Sequence, residues 1–529
     1  MKRRTLLASA AATAAAGAVP GRFAIAQSAR ARTIRFVPQA NLTLLDPIFT
    51  TAAVTANHAW AIYDTLFGVD SKGQVKPQMA EGHEVSADGR TYLIKLREGL
   101  KFHNGEPVRA QDCAASLARW AQRDTLGQTV AKFVDSWGVQ DDRTIKVSLK
   151  SPLPILIEAI AKPDANCTFI MPEHIAKTDG FRQITEHVGS GPFRFLMDEF
   201  VPGASVAYAR NAGYQPRQEA ADFTAGGKVA YMDRIEWQII PDSATAAGAL
   251  QAGEIDWYEQ VQADLVPLLR RNKDITIASA NPSGFNGVLR FNHLNPPFNN
   301  PAIRRAVLMA VNQDDYMAAV TGNDPTAFRT CKALFPCGTQ YGREIGADAM
   351  QGNLEKARQM LKDAGYKGEK VVIINPTDFV SIGPLGDVTY DTLKKIGMNV
   401  EMVATDWGTV VQRRASKEPI EKGGWNIFHT WWPSGAINLP VISAVVRGQG
   451  NSGWFGWFND DKIEKLTSQW LEASTQADRD SIADDIQRQA FQSVPTVPLG
   501  QFQIRTAYRR NLSGVIAATG SFFWNVRRT

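Results

Sequence analysis

The sequence predicts an α/β protein with at least two lobes, and two observations support this prediction. Segments with strand character at 370–374, 399–403 and 425–430 alternate with helical segments in the second half of the chain. Because parallel neighbours need a crossover connection, this order predicts a parallel sheet. The chain also has 529 residues, which exceeds the size at which one hydrophobic core stops growing, so we expect at least two lobes.

The carboxyl ends of such strands are where ligands of open α/β sheets bind. Three loops qualify: 375–383, 405–408 and 431–436. The last loop begins with Trp431, Trp432 and Pro433, and we interpret it as the wall of a ligand site. The alternative is that both tryptophans are core residues at a strand end. Because adjacent side chains in a strand point to opposite faces, we do not expect both in one core.

The remaining elements follow from periodicity, turn residues and caps. In chain order they are a strand at 33–37, a helix at 53–67, a strand at 91–96, a helix after Pro107, and helices capped by Asn300 and Asn353. The strand at 91–96 follows the turn-forming run 86–89, and its apolar side chains alternate. Asn300 precedes a proline, which suits the first position of a helix.

The amino terminus has the composition of an export leader. Lys2, Arg3 and Arg4 open it, 5–19 is rich in alanine and mildly apolar, and 24–26 is a small-x-small cleavage pattern. We predict a signal peptide at 1–26 with cleavage near Gln27. The paired arginines are similar to a twin-arginine signal, with a Sec signal as the alternative. No cysteine precedes Cys113, which argues against a lipid-anchored leader, and we expect a freely soluble periplasmic protein.

The net charge excludes some partners. The whole chain carries +5, from 58 basic and 53 acidic residues. Removing Lys2, Arg3, Arg4 and Arg22 with the leader leaves 54 basic against 53 acidic residues, a net charge of +1. A nearly neutral chain gives no reason to expect nucleic acid or an acidic membrane surface as a partner.

The four cysteines suggest one disulfide. Cys331 and Cys337 are six residues apart, and in an oxidising compartment a bond between them is expected. The alternative is two buried thiols. Cys113 and Cys167 read as structural residues.

Several motifs closely resemble the family 5 extracellular solute-binding proteins, the dipeptide, oligopeptide and nickel-chelate receptors of ABC importers. The resemblance covers nearly all of the predicted mature chain. Its motifs are the runs AEGHEVSADGRTY at 80–92, LREGLKFHNGEP at 96–107, GSGPFRF at 189–195, YARN at 208–211, ALQAGEID at 249–256, RFN at 290–292 and PAIRRA at 301–306. None of these motifs is catalytic.

The resemblance implies a bilobal periplasmic-binding-protein fold of type II, in the large cluster with an extra subdomain in the first lobe. The implied division is lobe I at 27–59, 189–280 and 496–529, an inserted subdomain at 60–188, and lobe II at 281–495. It implies a monomeric receptor that captures a small solute, peptide-like or aromatic, and passes it to an ABC permease. No cofactor is expected.

An exported hydrolase and a nickel-type metal-chelate receptor are the alternative functions. The sequence lacks G-x-S-x-G, H-E-x-x-H and P-loop motifs, and its seven histidines are scattered rather than at metal-ligand spacing. We therefore predict neither catalytic nor metal-binding residues.

The ligand contacts are predicted from the resemblance and from the aromatic loop. In peptide-binding relatives an acidic residue follows the strand that matches 425–430 and holds the ligand amine, but 431–438 contains no Asp or Glu. An aromatic wall instead favours a capped, cyclic or aromatic solute. The further candidates are His429, Arg329 for an anionic end, Trp407, Trp454, and Asp46 from lobe I. For His429 and Arg329 a purely structural or surface role is the alternative.

Overall fold

The computed structural model describes residues 32–322 and 324–529. The predicted signal peptide and its cleavage near Gln27 lie outside the described residues. Among those residues, no helix combines the length and the hydropathy that a membrane crossing requires.

The strands form two large sheets and several small ones. In the first half of the chain they are β1 (Thr33–Val37), β2 (Phe67–Val69), β3 (Val75–Pro77), β4 (Ala80–Val85), β5 (Thr91–Leu96), β6 (Val134–Asp141), β7 (Thr144–Leu149), β8 (Phe193–Phe195), β9 (Ser205–Arg210), β10 (Arg234–Gln238), β11 (Trp257–Val261) and β12 (Ile275–Ser279). In the second half they are β13 (Phe285–Phe291), β14 (Phe328–Arg329), β15 (Lys370–Pro376), β16 (Asn399–Thr405), β17 (Ile427–Pro433), β18 (Thr496–Phe502), β19 (Arg505–Arg509), β20 (Leu512–Ser513) and β21 (Arg527–Arg528).

The helices pack on both large sheets and on the subdomain. They are α1 (Ala53–Ile62), α2 (Ala110–Arg123), α3 (Thr125–Phe133), α4 (Leu156–Ile160), α5 (Glu173–Ala176), α6 (Ser243–Ala252), α7 (Val266–Arg270), α8 (Pro301–Ala310), α9 (Gln313–Thr321), α10 (Leu354–Asp363), α11 (Gly383–Lys395), α12 (Trp407–Arg413), α13 (Asp461–Glu472) and α14 (Gln476–Ser493). The predicted caps are present: the side chains of Asn300 and Asn353 accept hydrogen bonds from the backbone N–H groups of Ala302 and Lys356.

A seven-stranded sheet is the centre of the part that we name lobe I. Its order is β12-β19-β11-β1-β10-β9-β8, and β1 runs parallel to both of its neighbours. Phe36 lies in the middle of an aromatic core, with ring centroids 5.5 Å from Trp237, 5.2 Å from Trp257 and 5.1 Å from Phe523. The predicted helix at 53–67 is shorter than expected, because the chain becomes extended at Tyr63 and enters β2.

A six-stranded sheet is the centre of the part that we name lobe II. Its order is β14-β18-β13-β17-β15-β16. β15 is parallel to β16 and to β17, which confirms the predicted parallel arrangement for these three strands. β13 is antiparallel to β17 and to β18, so the sheet is mixed rather than wholly parallel.

A smaller antiparallel sheet, β4-β5-β7-β6, forms the centre of an inserted subdomain together with α2 and α3. The predicted strand at 91–96 is β5, and its buried side chains alternate with more exposed ones. The bilobal α/β architecture expected from the sequence is therefore present.

Two antiparallel crossings connect the lobes. The chain leaves lobe I between β12 and β13 and returns between β18 and β19. The backbone N–H of Ala280 donates to the carbonyl of Ile504 at 2.9 Å, and the Ser279 hydroxyl donates to Gln503 at 3.1 Å. One predicted boundary needs correction. The segment 496–502 was assigned to lobe I, but as β18 it pairs with β13 inside the lobe II sheet, so the return lies beyond Phe502.

Candidate functional site

The carboxyl ends of β15, β16 and β17 meet at one edge of the lobe II sheet, which faces lobe I. The tryptophan pair lies within β17 rather than in the loop after it, since that strand continues to Pro433. The segments after β15 and β17 supply Phe379, Ile382 and Ala436 to a cavity at this edge, and the helix after β16 supplies Trp407.

The cavity lies between the lobes. Lobe II contributes Phe379, Ile382, Trp407, Thr430, Trp431, Trp432, Pro433, Ala436 and Trp454 to its lining. The opposite wall is formed by Thr51, Ala52, Ala53, Ala56, Trp60, Pro163, Asp164, Ala165, Thr519 and Gly520. Its volume is about 50 Å³. Five of the residues predicted to contact ligand, namely Trp407, Trp431, Trp432, Pro433 and Trp454, are brought together here.

Two further cavities adjoin this one. A cavity of about 100 Å³ shares Trp431, Thr519 and Gly520 with it. A chamber of about 890 Å³ shares Pro163, Asp164 and Thr519 with it. The three cavities are thus neighbours in one cleft between the lobes, separated by the side chains that they share. We call the first the tryptophan cavity and the last the chamber.

The two adjacent tryptophans take opposite partners, as strand geometry requires. The Trp431 ring lies edge-on to Phe285 at 4.6 Å, and its Nε1 donates to the Ser381 hydroxyl at 3.0 Å. The Trp432 ring meets Trp454 at 5.3 Å. Both tryptophans are only 6% exposed and belong to the same buried hydrophobic cluster, so the expectation that they would not both lie in one core is wrong.

Two indole donors in the cleft have no partner in the described structure. Nε1 of Trp432 and Nε1 of Trp407 are buried and make no hydrogen bond to the described residues. A buried N–H without an acceptor is costly, and a ligand acceptor would satisfy it. Trp407 and Trp432 are therefore the strongest candidates on the lobe II wall for contact with a ligand, because each offers both an apolar ring and a free N–H donor.

Direct contacts hold the lobes together across the cleft. Nε1 of Trp454 donates to the Thr51 hydroxyl at 3.3 Å, and the Ser381 hydroxyl donates to Gln260 at 2.9 Å. The Phe455 ring also has the Arg123 guanidinium 5.1 Å from its centroid. The structure is thus a closed arrangement of the two lobes.

Three predicted ligand contacts lie elsewhere. His429 is wholly buried in β17, its Nε2 is 2.7 Å from the Thr389 hydroxyl, and burial lowers its pKa to about 3. Arg329 lies on the edge strand β14 and bonds to Gln501 and to the Cys337 carbonyl. Neither His429 nor Arg329 lines the tryptophan cavity, and the contacts of both are those of structural residues.

Asp46 is the third correction. It is 1% exposed and forms a buried ion pair with Arg119 at 2.7 Å, and the backbone N–H of Ile184 donates to the same carboxylate. These bonds occupy both carboxylate oxygens and fix the subdomain to lobe I, away from the tryptophan cavity.

Two acidic residues of the cleft were missed. Asp164 lines both the tryptophan cavity and the chamber, and burial raises its pKa. Glu259 lines the 100 Å³ cavity, and burial raises its pKa despite hydrogen bonds from Gln39 and Asn57. Asp164 lies in an irregular segment without periodicity, so no sequence signal marks it as a site residue.

A disulfide joins Cys331 and Cys337, whereas Cys113 and Cys167 are buried free thiols. Within the described ranges, no three His, Cys, Asp or Glu side chains are grouped so that they could hold a metal ion.

Comparison with known proteins identifies the family. Residues 74–453 match the model of the bacterial extracellular solute-binding proteins, family 5 Middle. A probable peptide ABC transporter periplasmic-binding protein of Sinorhizobium fredii is 38% identical over 535 residues, covering 100% of this chain and 99% of the relative. The glutathione-binding protein GsiB of Pectobacterium atrosepticum is 24% identical, with 91% of each chain covered.

Solved structures share the fold. The periplasmic binding protein AgaA of A. tumefaciens R10, in complex with agropinic acid, matches with a TM-score of 0.78 at 20% identity, covering 94% of this chain and 99% of that one. The periplasmic binding protein DppA of Helicobacter pylori, in complex with the peptide STSA, matches with a TM-score of 0.76 at 22% identity, covering 94% and 98%. The chain therefore belongs to the family 5 bacterial extracellular solute-binding proteins.

Proposed function

We propose that this protein captures a peptide or peptide-like solute between its two lobes and delivers it to the permease of an ABC importer. The observation that carries the proposal is the closed cleft, where aromatic rings of lobe II face lobe I across three adjoining cavities. Small-solute sites are concave, mostly apolar and supplied with a few polar groups. The peptide named for the Sinorhizobium relative and for the Helicobacter structure supports the same solute class.

Closure is the signal that the permease reads. A ligand that contacts both lobes stabilises the closed state over the open one, and only this difference in affinity shifts the population. The unpaired indole N–H groups of Trp407 and Trp432 would bind carbonyl oxygens of the solute, and the rings would stack on its apolar or aromatic parts.

The proposal also specifies the compartment, the oligomeric state and the division into lobes. The receptor acts as a monomer in the periplasm after cleavage near Gln27, with the twin-arginine or the Sec route open. It binds its solute without chemical change. Lobe I comprises 27–59, 189–280 and 503–529, the subdomain comprises 60–188, and lobe II comprises 281–502. The last boundary lies after residue 502 because β18 pairs with β13 in the lobe II sheet.

A thermal-shift screen tests the proposal. The mature chain from residue 27 is melted with a casein tryptic digest, glutathione, agropinic acid and the nickel–histidine complex, each as a separate arm. A ligand at about 100 times its Kd stabilises the folded state by about 2.7 kcal/mol, so a peptide fraction that binds raises the melting temperature. Mass spectrometry of the recovered ligand should return an unaltered mass. Stabilisation by the nickel complex alone, or hydrolysis of the peptides, would overturn the proposal.

A further inference from the structure

We propose that Asp164 binds a cationic group of the solute, so that this receptor selects ligands that carry a free ammonium. The inference deepens the function proposed above and rests on it. It assigns the charge recognition to the lobe I side of the cleft, opposite the aromatic wall of lobe II.

Asp164 differs from every other buried aspartate in the described part of the chain. There are seven: Asp46, Asp64, Asp70, Asp112, Asp124, Asp164 and Asp256. Six form ion pairs, with Arg119, Lys228, Lys76, Arg109, Lys162 and Arg35 respectively. Asp164 forms none, although it is only 7% exposed. The other six buried aspartates are thus in contact with a cation, whereas Asp164 feels the charge of Lys162 without forming an ion pair with it.

One oxygen of the Asp164 carboxylate also lacks a hydrogen bond. Its Oδ1 is buried without a partner among the described residues. The neighbouring Lys162 is already engaged, because its Nζ donates to Asp124 at 2.5 Å and to the Ala165 carbonyl at 2.8 Å. Burial opposes the charged form of the Asp164 carboxylate and raises its pKa, whereas a hydrogen bond from Thr519 and the charge of Lys162 favour that form. A buried carboxylate in this state gains from a cation that supplies both charge and donors.

Glu259 provides the contrast. It too is a buried carboxylate in the cleft without an ion pair among the described residues, but three donors satisfy it: the Gln39 backbone N–H at 2.7 Å, the Asn57 amide at 2.7 Å and the Ser521 hydroxyl at 3.0 Å. Hydrogen bonds of this kind can hold a buried carboxylate without a counter-ion. Glu259 therefore needs nothing from the ligand, whereas Asp164 does.

The position of Asp164 defines where the rest of the solute lies. It borders the tryptophan cavity of about 50 Å³ on one side and the chamber of about 890 Å³ on the other. The rings of Trp60, Trp407 and Trp432 line the first space, and aromatic faces attract cations. The chamber has the size of a typical small-molecule site, and Leu439, Ile442 and other apolar side chains line it. The class of ligand is thus an amine attached to a larger, mainly apolar body, such as a peptide with a free amino terminus.

A competition experiment tests this assignment. A casein tryptic digest is divided, one half is fully N-acetylated so that its ammonium groups are lost, and the halves are mixed equally with the mature receptor. Bound peptides are isolated by gel filtration and counted by mass spectrometry. The wild type should enrich the unacetylated peptides at least about tenfold, since hydrogen bonds to charged groups are of that strength. Asp164→Asn should reduce this preference to within about twofold of unity.

Asp135→Asn is the matched control, because Asp135 is an exposed aspartate on β6 of the subdomain and lines none of the three cavities. It should retain the wild-type preference. The melting temperature of unliganded Asp164→Asn should equal or exceed that of the wild type, because the change removes an unpaired buried charge. Capture of both peptide halves equally by the wild type, or an undiminished preference in Asp164→Asn, overturns the inference. Capture of no peptide at all overturns the proposed function, and the inference with it.

Discussion

The Asp164 carboxylate lies directly opposite Gly435 across the cleft: a Cβ added to Gly435 would be 3.2 Å from Oδ2 of Asp164. Gly435 follows β17 in lobe II, whereas Asp164 belongs to the segment beyond α4 on the lobe I side. The two residues therefore approach each other only when the lobes close, and the absence of a side chain at Gly435 leaves room for that approach.

Gly435→Ala should weaken ligand binding about fivefold, since the added methyl group requires Asp164 to shift by a few tenths of an ångström and mild overpacking costs about 1 kcal/mol. Titration calorimetry with the peptide fraction selected in the screen measures the effect. Gly248→Ala is the control, because a Cβ there meets nothing within 4 Å. Equal losses in both variants would contradict a local effect at the cleft.

Trp432→Ala should reduce peptide affinity by at least about 30-fold, which is the usual loss at a buried aromatic anchor. Trp432→Phe retains the ring but not the unpaired Nε1, so its loss should be smaller. Trp137→Ala, on β6 of the subdomain and outside the cleft, serves as the control. An unchanged affinity in Trp432→Ala would remove the tryptophan wall from the binding site.

The Phe455 ring is held between two guanidinium groups, Arg123 at 5.1 Å and Arg414 at 4.9 Å. Arg123 comes from α2 of the subdomain, and Arg414 follows α12 of lobe II. Buried contacts of this kind contribute about 0.5–2 kcal/mol, so Phe455→Leu should disfavour closure and weaken binding about threefold to 30-fold.

The matched control for this cross-lobe contact is Phe181→Leu. Phe181 also lies near Arg123, at 5.4 Å, but it is exposed and belongs to the subdomain itself. Small-angle scattering of the liganded proteins should show a larger radius of gyration for Phe455→Leu alone. The same radius in both variants would mean that Phe455 does not contribute to closure.

His429 should make the fold sensitive to acid. Burial lowers its pKa to about 3, so the folded state keeps it neutral while the unfolded chain takes up a proton near pH 6.5. The contribution of neutral His429 to the free energy of unfolding is fully present above pH 6.5 and is lost as the pH falls from 6.5 toward 3. Between pH 7 and 5 the loss is about 2 kcal/mol.

His429→Gln should remove that loss, as urea unfolding at pH 7 and pH 5 would measure. If His429→Gln lost as much stability as the wild type over this interval, the titration would belong to other histidines.

Local patterns predicted the elements well because their causes are local. Caps such as Asn300, alternation in β5 and the strand–helix order around β15 are each determined within a few residues. The position of Trp431 and Trp432 at the carboxyl edge of the sheet was also predictable, since it follows from the parallel order of three strands. Asp164 was not, because its role depends on which cations the fold brings near it, and that pairing joins residues far apart in sequence.

The wrong site predictions have the same origin. Asp46 and Arg119 are 73 positions apart, so nothing near Asp46 in the sequence reveals its ion pair. The strand pairing of β18 with β13 likewise joins distant segments and moved the boundary of lobe II.

The paired crossings at Ala280 and Ile504 determine how the receptor can move. The two segments are hydrogen-bonded to each other and continue into strands of both large sheets, so we expect them to twist together. Closure on a ligand is then expected to be a hinge rotation about these two segments that leaves both sheets undeformed. The permease would meet the same two rigid surfaces for every cargo, changed only in their mutual angle, and one transporter could serve solutes of very different shape.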